Sequence, residues 1–187
     1  ALGHEVSERP LEADWRALYR AQGAHSAGHF GAGILEAIRE IGREPEDDDF
    51  ETLTKSIIAA SRRIGADRSA YGTLTLQNMV RPIMAQWEHF DVFLCPTMIT
   101  PPPHIGHIDP VNLDPKEVNA RQARVFGYTP PFNMTGQPSV SLPLAWSADG
   151  LPIGMMFTGR YADEATLLNL ATQLEEAMPW AQRRPAH

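Results

Sequence analysis

Cysteine is almost absent from this chain of 187 residues. Cys95 is the only one, so no internal disulfide can form, and a reducing cytoplasm is the expected compartment. Lysine is nearly as scarce: Lys55 and Lys116 are the only two, both in polar helical contexts. No run approaches the roughly 18 apolar residues that a membrane helix needs, and the N-terminus shows no signal-peptide pattern. No basic cluster exceeds a pair such as Arg183-Arg184, and the net charge is -7. Neither nucleic acid nor an anionic membrane surface is therefore an expected partner, because both reward a localised positive patch. A G-x-S-x-G elbow, internal repeats and low-complexity tracts are also missing. What remains is ordinary globular composition, 43% hydrophobic and 21% charged. One domain of this length can bury roughly 70% of the surface its unfolded chain exposes.

Periodicity divides the chain into a helical part and a strand-rich part. Leu11, Trp15, Leu18 and Tyr19 recur at helical spacing, as do Ile34, Leu35, Ile38 and Ile41. Between these runs, Gly23, Gly28, Gly31 and Gly33 predict a break. A helix is expected over 46–64, and a second from Asp67 to about His89, kinked or divided at Pro82. VFLCPT reads as a short, fully buried strand, and its apolar neighbours make Cys95 a packed rather than a reactive thiol. Residues 96–115 form a proline-rich loop, and 115–125 one short helix. Ser139 to Trp146 and Ile153 to Arg160 are predicted strands joined through an Asp149-Gly150 turn, with Pro143 demanding an edge or a bulge. Asp163 should cap a last helix whose stripe is Leu167, Leu170, Ala171, Leu174, Ala177 and Met178. The expected class is α/β, a mixed β-sheet flanked by helices, with 1–89 mostly helical and 90–187 strand-rich, ending in a hairpin and a helix.

Candidate chemistry is sparse. His25 and His29 would share a helix face, but a hydrolytic zinc site also needs a third ligand and usually a glutamate inside the pair. Ser26, Ala27 and Gly28 stand there instead, and no metal is assigned. His104 and His107 fall in the proline loop as surface or turn residues. Ser139 and Ser141 alternate on one strand and share a face, reading as strand hydroxyls rather than nucleophiles without a base beside them.

The segment from Thr135 to Trp180 carries an ordered series of short motifs: T-G-Q-P-S-V-S-L-P, then D-G-L-P-I-G, then Gly159-Arg160, Asp163 to Leu168, and Pro179-Trp180. Upstream lies D-V-F-L-C-P-T, through Asp91, Pro96 and Thr97. In this order the motifs resemble the closing segment of the amidase signature family, most strongly over 90–180 and weakly before 67. The opening residues LGHEV resemble the middle of such enzymes, read as a helix tail, a turn glycine and a strand start.

The resemblance implies hydrolysis of amides by a serine, a second serine and a lysine. In that family these lie in a lysine segment and a G-G-S-S-G-type signature, and neither occurs in these 187 residues. The expectation is thus a C-terminal half, inactive alone, that supplies sheet strands and one wall of a substrate pocket. By resemblance, the wall comprises Cys95, Thr97, Met98, Phe132, Asn133 and Gln137. Gly136 should provide a tight turn, with Pro138 extending Gln137, so that Asn133, Thr135 and Gln137 are presented at a strand end. Partners would be a small-molecule amide and the N-terminal half of the same enzyme, with no cofactor and with self-association of the isolated chain. A free-standing binding or scaffold module derived from an amidase stays open as the alternative.

Overall fold

The computed structural model describes residues 2–183. Residues 2–14 hold neither helix nor strand, where LGHEV predicted a strand to begin. This segment is held by Gln86, whose Oε1 accepts the Glu12 N–H at 2.9 Å while its Nε2 donates to the Glu12 carbonyl at 2.8 Å.

Helix α1 then runs unbroken from Trp15–Ile41. Asp14 caps it by accepting the Ala17 N–H, and Gly42, at φ 78°, ends it in the left-handed conformation. The predicted break does not occur, because tertiary packing reverses the local preference. A Cβ on Gly28 would stand 2.6 Å from the Cβ of Ser69, and one on Gly31 would stand 3.2 Å from the Cβ of Ser61. These glycines let α1 approach its neighbours closely, which offsets a helix penalty of about 1 kcal/mol each. Gly72 answers from the other side, with Ala24 at 2.8 Å from where its Cβ would be.

A 3-10 turn at Asp47–Asp49 and helix α2, Thr52–Arg63, replace the single helix expected there. Helix α3, Ala66–Ala85, passes through Pro82 undivided and gives way to a 3-10 turn at Gln86–Glu88. Pro82 removes one bond, from its missing N–H to the Asn78 carbonyl, and the remaining bonds of this 20-residue helix carry it past that position. After α3 come strand β1, Phe93–Pro96, the long loop, helix α4, Pro115–Val125, and the short helix α5, Pro130–Thr135. Nothing in the periodicity foretold α5; the Pro130-Pro131 pair at its first turn is the one local signal. Strand β2, Ser139–Trp146, strand β3, Pro152–Thr158, and helix α6, Glu164–Ala177, complete the fold.

The three strands form one sheet in the order β1-β3-β2, antiparallel throughout. The described sheet is therefore antiparallel where the sequence pattern predicted a mixed one. Each strand reverses on its sheet neighbour: a short turn through Gly150, φ 76°, joins β2 to β3, and β3 returns beside β1. The pairing leaves a register shift between Pro143 and Ala145, the irregularity that Pro143 demanded, on an outer strand. Strand β1 is an outer strand too, so Leu94 is 46% exposed instead of fully buried. The sheet closes two cores. Phe93, Cys95 and Met156 pack with Leu18, Ile83, Trp87 and Phe132 from the helices. On the opposite face Leu142, Phe157 and Met155 pack against Leu167, Leu170 and Leu174 of α6. Alternation along β3 puts Met156 and Phe157 into different cores, which fixes its register: a slip of one residue would invert both faces.

Candidate functional site

The site builds outward from the first core. Trp87, Phe90, Phe93 and Phe132 form an aromatic cluster with ring centroids 5.0 to 6.2 Å apart, the Trp87–Phe132 pair edge-on. Such pairs contribute roughly 0.5–1.5 kcal/mol each beyond area burial. The Trp87 indole N–H donates to the Thr158 carbonyl at 3.0 Å. Arg160 ties the end of β3 to the same segment, donating to the carbonyls of Trp87 at 3.2 Å and Phe90 at 3.4 Å. It also pairs with Asp91 at 2.9 Å. Two motif residues far apart in sequence are thereby joined; both side chains are well exposed, so the ion pair orients more than it stabilises.

Around this support lie the six predicted wall residues. Cys95 sits on β1, half-buried, and burial pushes its thiol up to about 11. It is a packed cysteine with little thiolate near neutral pH. Thr97 follows β1 directly: its N–H donates to the Gly154 carbonyl at 2.9 Å, and its hydroxyl lies 2.5 Å from that of Ser141. Met98 is half-buried and Asn133 is exposed. Phe132 and Gln137 are 5% and 6% exposed and lie in the interior of the described chain. Of the trio expected at the strand end, only Asn133 faces solvent; Thr135 and Gln137 are buried. The cause is the unforeseen helix α5, which coils FNMT back over the first core. Gly136, at φ 69°, makes the tight turn as expected and caps α5 through its N–H to the Phe132 carbonyl at 2.9 Å. Gln137 Nε2 donates to the Gly159 carbonyl at 2.8 Å, while its Oε1 has no donor among the described residues.

The hydroxyls of β2 are already engaged. Ser139 pairs with Thr158 at 2.8 Å and Ser141 with Thr97 at 2.5 Å. Ser141 and Gly154 are the two residues that sequence reasoning did not place at the site. A glycine inside a strand was the available signal, since it marks a close approach. A Cβ at position 154 would meet Ser141 Oγ at 2.7 Å and Thr97 Oγ1 at 2.8 Å. Lys55 lies on α2 and Lys116 in the first turn of α4.

The histidines are placed as follows. His25 and His29 share one face of α1 with ring centroids 4.0 Å apart. His25 Nδ1 lies 2.9 Å from Thr73 Oγ1, and His29 Nδ1 donates to the His25 carbonyl at 3.0 Å. Burial, followed by the neighbouring His29, lowers the pKa of His25. Among the described residues no group of three His, Cys, Asp or Glu side chains could hold a metal ion. His104 and His107 are exposed and joined by a turn, the His107 N–H donating to the His104 carbonyl at 3.0 Å. A groove of about 590 Å³ opens between α1 and α3, lined by Ala21, Ala24, Arg68, Tyr71 and Gly72 among others. It shares no residue with the predicted wall. We take as the candidate site the sheet face that carries the Ser139–Thr158 and Thr97–Ser141 hydroxyl pairs, with Gln137 buried at its Thr158 end. No helix among the described residues is long and apolar enough to cross a membrane.

Comparison with known proteins bears on this geometry. The Amidase family matches residues 3–168. A 6-aminohexanoate-cyclic-dimer hydrolase of Paenarthrobacter ureafaciens is 31% identical over 194 residues, covering 99% of this chain and 39% of that relative. A putative amidase, AmiC, of Mycobacterium leprae is 50% identical over 93 residues, half of this chain and 19% of that relative. A solved structure of 6-aminohexanoate cyclic dimer hydrolase superposes with a TM-score of 0.87 at 28% identity, over 98% of this chain and 40% of that one. The chain thus spans about 40% of the length of relatives that match it end to end. Helices and a small antiparallel sheet in this arrangement are part of the amidase-signature fold. The chain belongs to the amidase signature family.

Proposed function

We propose that these residues form the C-terminal flank of an amide hydrolase. They supply three strands, the helices behind them and one wall of the substrate cleft, and the reactive serines and lysine come from polypeptide outside this chain. The observation that carries the reading is the state of the sheet hydroxyls. Ser139 and Ser141 are each paired with a threonine, and threonine cannot accept a proton as a general base must. Family membership combined with coverage of about 40% of the relatives supports the same division of labour. On this reading Cys95, Thr97, Met98 and Asn133 border the cleft, with Phe132 and Gln137 holding that border from behind. The outer edges of β1 and β2 receive strands of the N-terminal half; without it they pair with a second copy.

The relative from Paenarthrobacter ureafaciens is a hydrolase of the cyclic dimer of 6-aminohexanoate, so cyclic amides head the substrate panel, followed by linear aliphatic and aryl amides. The experiment compares the complete gene product containing these residues with the isolated chain. The complete product should hydrolyse an amide and lose that activity to a serine-directed reagent. The isolated 187 residues should not hydrolyse any amide of the panel. Turnover by the isolated chain above a serine-modified control would overturn the reading.

A further inference from the structure

We propose that Thr97, Ser141 and Gly154 form a positioning unit that sets the start of the 97–114 loop, and with it Met98, at the cleft wall. The inference rests on the amide-hydrolase reading for its kinetic test and on geometry alone for the rest.

Strands β1 and β2 are not neighbours; β3 lies between them. With adjacent strands about 4.8 Å apart, the two outer strands run about 10 Å from each other, too far for short hydroxyl side chains to meet across an ordinary residue. They meet at 2.5 Å because Gly154 of β3 stands beneath them without a side chain. The register explains how. Ser141 pairs with Met156 and Pro143 with Gly154, while Thr97 continues β1 opposite Gly154 through its N–H bond to the Gly154 carbonyl at 2.9 Å. The Thr97–Ser141 bond therefore crosses β3 diagonally, directly above the missing Cβ.

What the bond holds is the beginning of the loop. Met98 is bracketed by two backbone bonds, Thr97 N–H to Gly154 and Ile99 N–H to the Val125 carbonyl at 3.1 Å. On the far side Ile99 lies against Gly127, where an added Cβ would stand 2.1 Å from Ile99 Cδ1. Only the near side adds a side-chain bond to its backbone bond, so removing either hydroxyl loosens that end of the bracket while both cores stay intact. One hydroxyl donates to the other, which leaves a second O–H free to donate beyond the pair.

The test uses the complete gene product with Ser141→Ala, Thr97→Val and Thr97→Ser. The first two should raise KM for the amide by about threefold to tenfold, the worth of one net hydrogen bond, with kcat changed less. Thr97→Ser keeps the hydroxyl and should return KM to within about twofold of the parent. Amide hydrogen exchange at Thr97 and Ile99 should accelerate in the same two variants and not in Thr97→Ser. A purely structural role would lower Tm in all three without separating KM from kcat. Unchanged KM together with unchanged exchange in Ser141→Ala and Thr97→Val would overturn the proposal. If the parent hydrolyses no amide, the amidase reading falls by itself and exchange alone decides the positioning unit, acceleration upholding it and its absence ending it.

Discussion

The packing of α1 against α3 makes one substitution informative because its sign differs along a single helix. Replacing an exposed interior helix glycine by alanine should stabilise by about 1 kcal/mol, through helix propensity and a narrower unfolded ensemble. Gly33 meets that condition: nothing lies within 4 Å of the position its Cβ would occupy. Gly28 does not. An alanine there would place its Cβ 1.8 Å from Ser69 Oγ and 2.6 Å from Ser69 Cβ. The hydroxyl can rotate away, but the Ser69 Cβ is fixed to the α3 backbone, so the helices must separate. Overpacking of that kind costs about 1–3 kcal/mol, which exceeds the propensity gain. Gly28→Ala should therefore lower the thermal midpoint by several degrees while Gly33→Ala raises it, at about 2–4 °C per kcal/mol for a chain of this size. Removing the obstruction supplies the control. In Gly28→Ala with Ser69→Gly, the nearest remaining atom is the Cα of residue 69 at 3.9 Å, an ordinary contact. The pair should then show a coupling of about 2 kcal/mol in a double-mutant cycle followed by urea denaturation. Equal stabilisation by both alanines, or a cycle with no coupling, would refute close helix packing as the cause of an unbroken α1.

Other outcomes follow from single contacts. Asp163→Ala should destabilise by about 1 kcal/mol, because Asp163 accepts the Thr166 N–H at 3.3 Å to cap α6; Asp163→Asn should retain most of that, and equal melting of the two variants would deny the cap. Cys95, with its thiol pushed up to about 11, should alkylate far more slowly at pH 8 than it does in urea. The sign for stability is that burial of the neutral thiol favours the folded state below the ordinary thiol range, and this contribution fades as pH rises through about 11; rapid alkylation of the native protein would contradict it. Asp49 is held at about 2, first by the Arg43 guanidinium and then by the Glu46 N–H. Its contribution is present above the ordinary carboxylate range and is lost as pH falls toward about 2, so Arg43→Gln should return the carboxyl titration, followed by NMR, toward ordinary values.

Local chemistry made parts of this protein readable from residues alone. The Asp149-Gly150 turn, the cap at Asp163 and the irregularity at Pro143 each depend on neighbours within a few positions, and each stands where the sequence put it. Of the α6 stripe, Leu167, Leu170, Ala171 and Leu174 pack against the sheet, while Ala177 and Met178 are exposed. The ordered motifs from Asp91 to Trp180 carried the family for the same reason: short fixed spacings need no third dimension. The long-range contacts were not legible. Gly28 and Gly31, which predict a break in isolation, instead let α1 pack closely, because Ser61 and Ser69 arrive from helices far along the chain. Asn133, Thr135 and Gln137 were expected together at a strand end, but α5 set Phe132 into the aromatic cluster, and Thr135 and Gln137 are buried. Ser141 and Gly154 became a unit with Thr97 only when β3 was laid between two strands that are not neighbours in the sheet. Sequence by itself determined the caps, the tight turns and the motif spacings, since those are set by backbone stereochemistry and local hydrogen bonds. Tertiary structure alone decided which faces meet, because burial and steric fit belong to pairs of residues that the chain brings together only by folding.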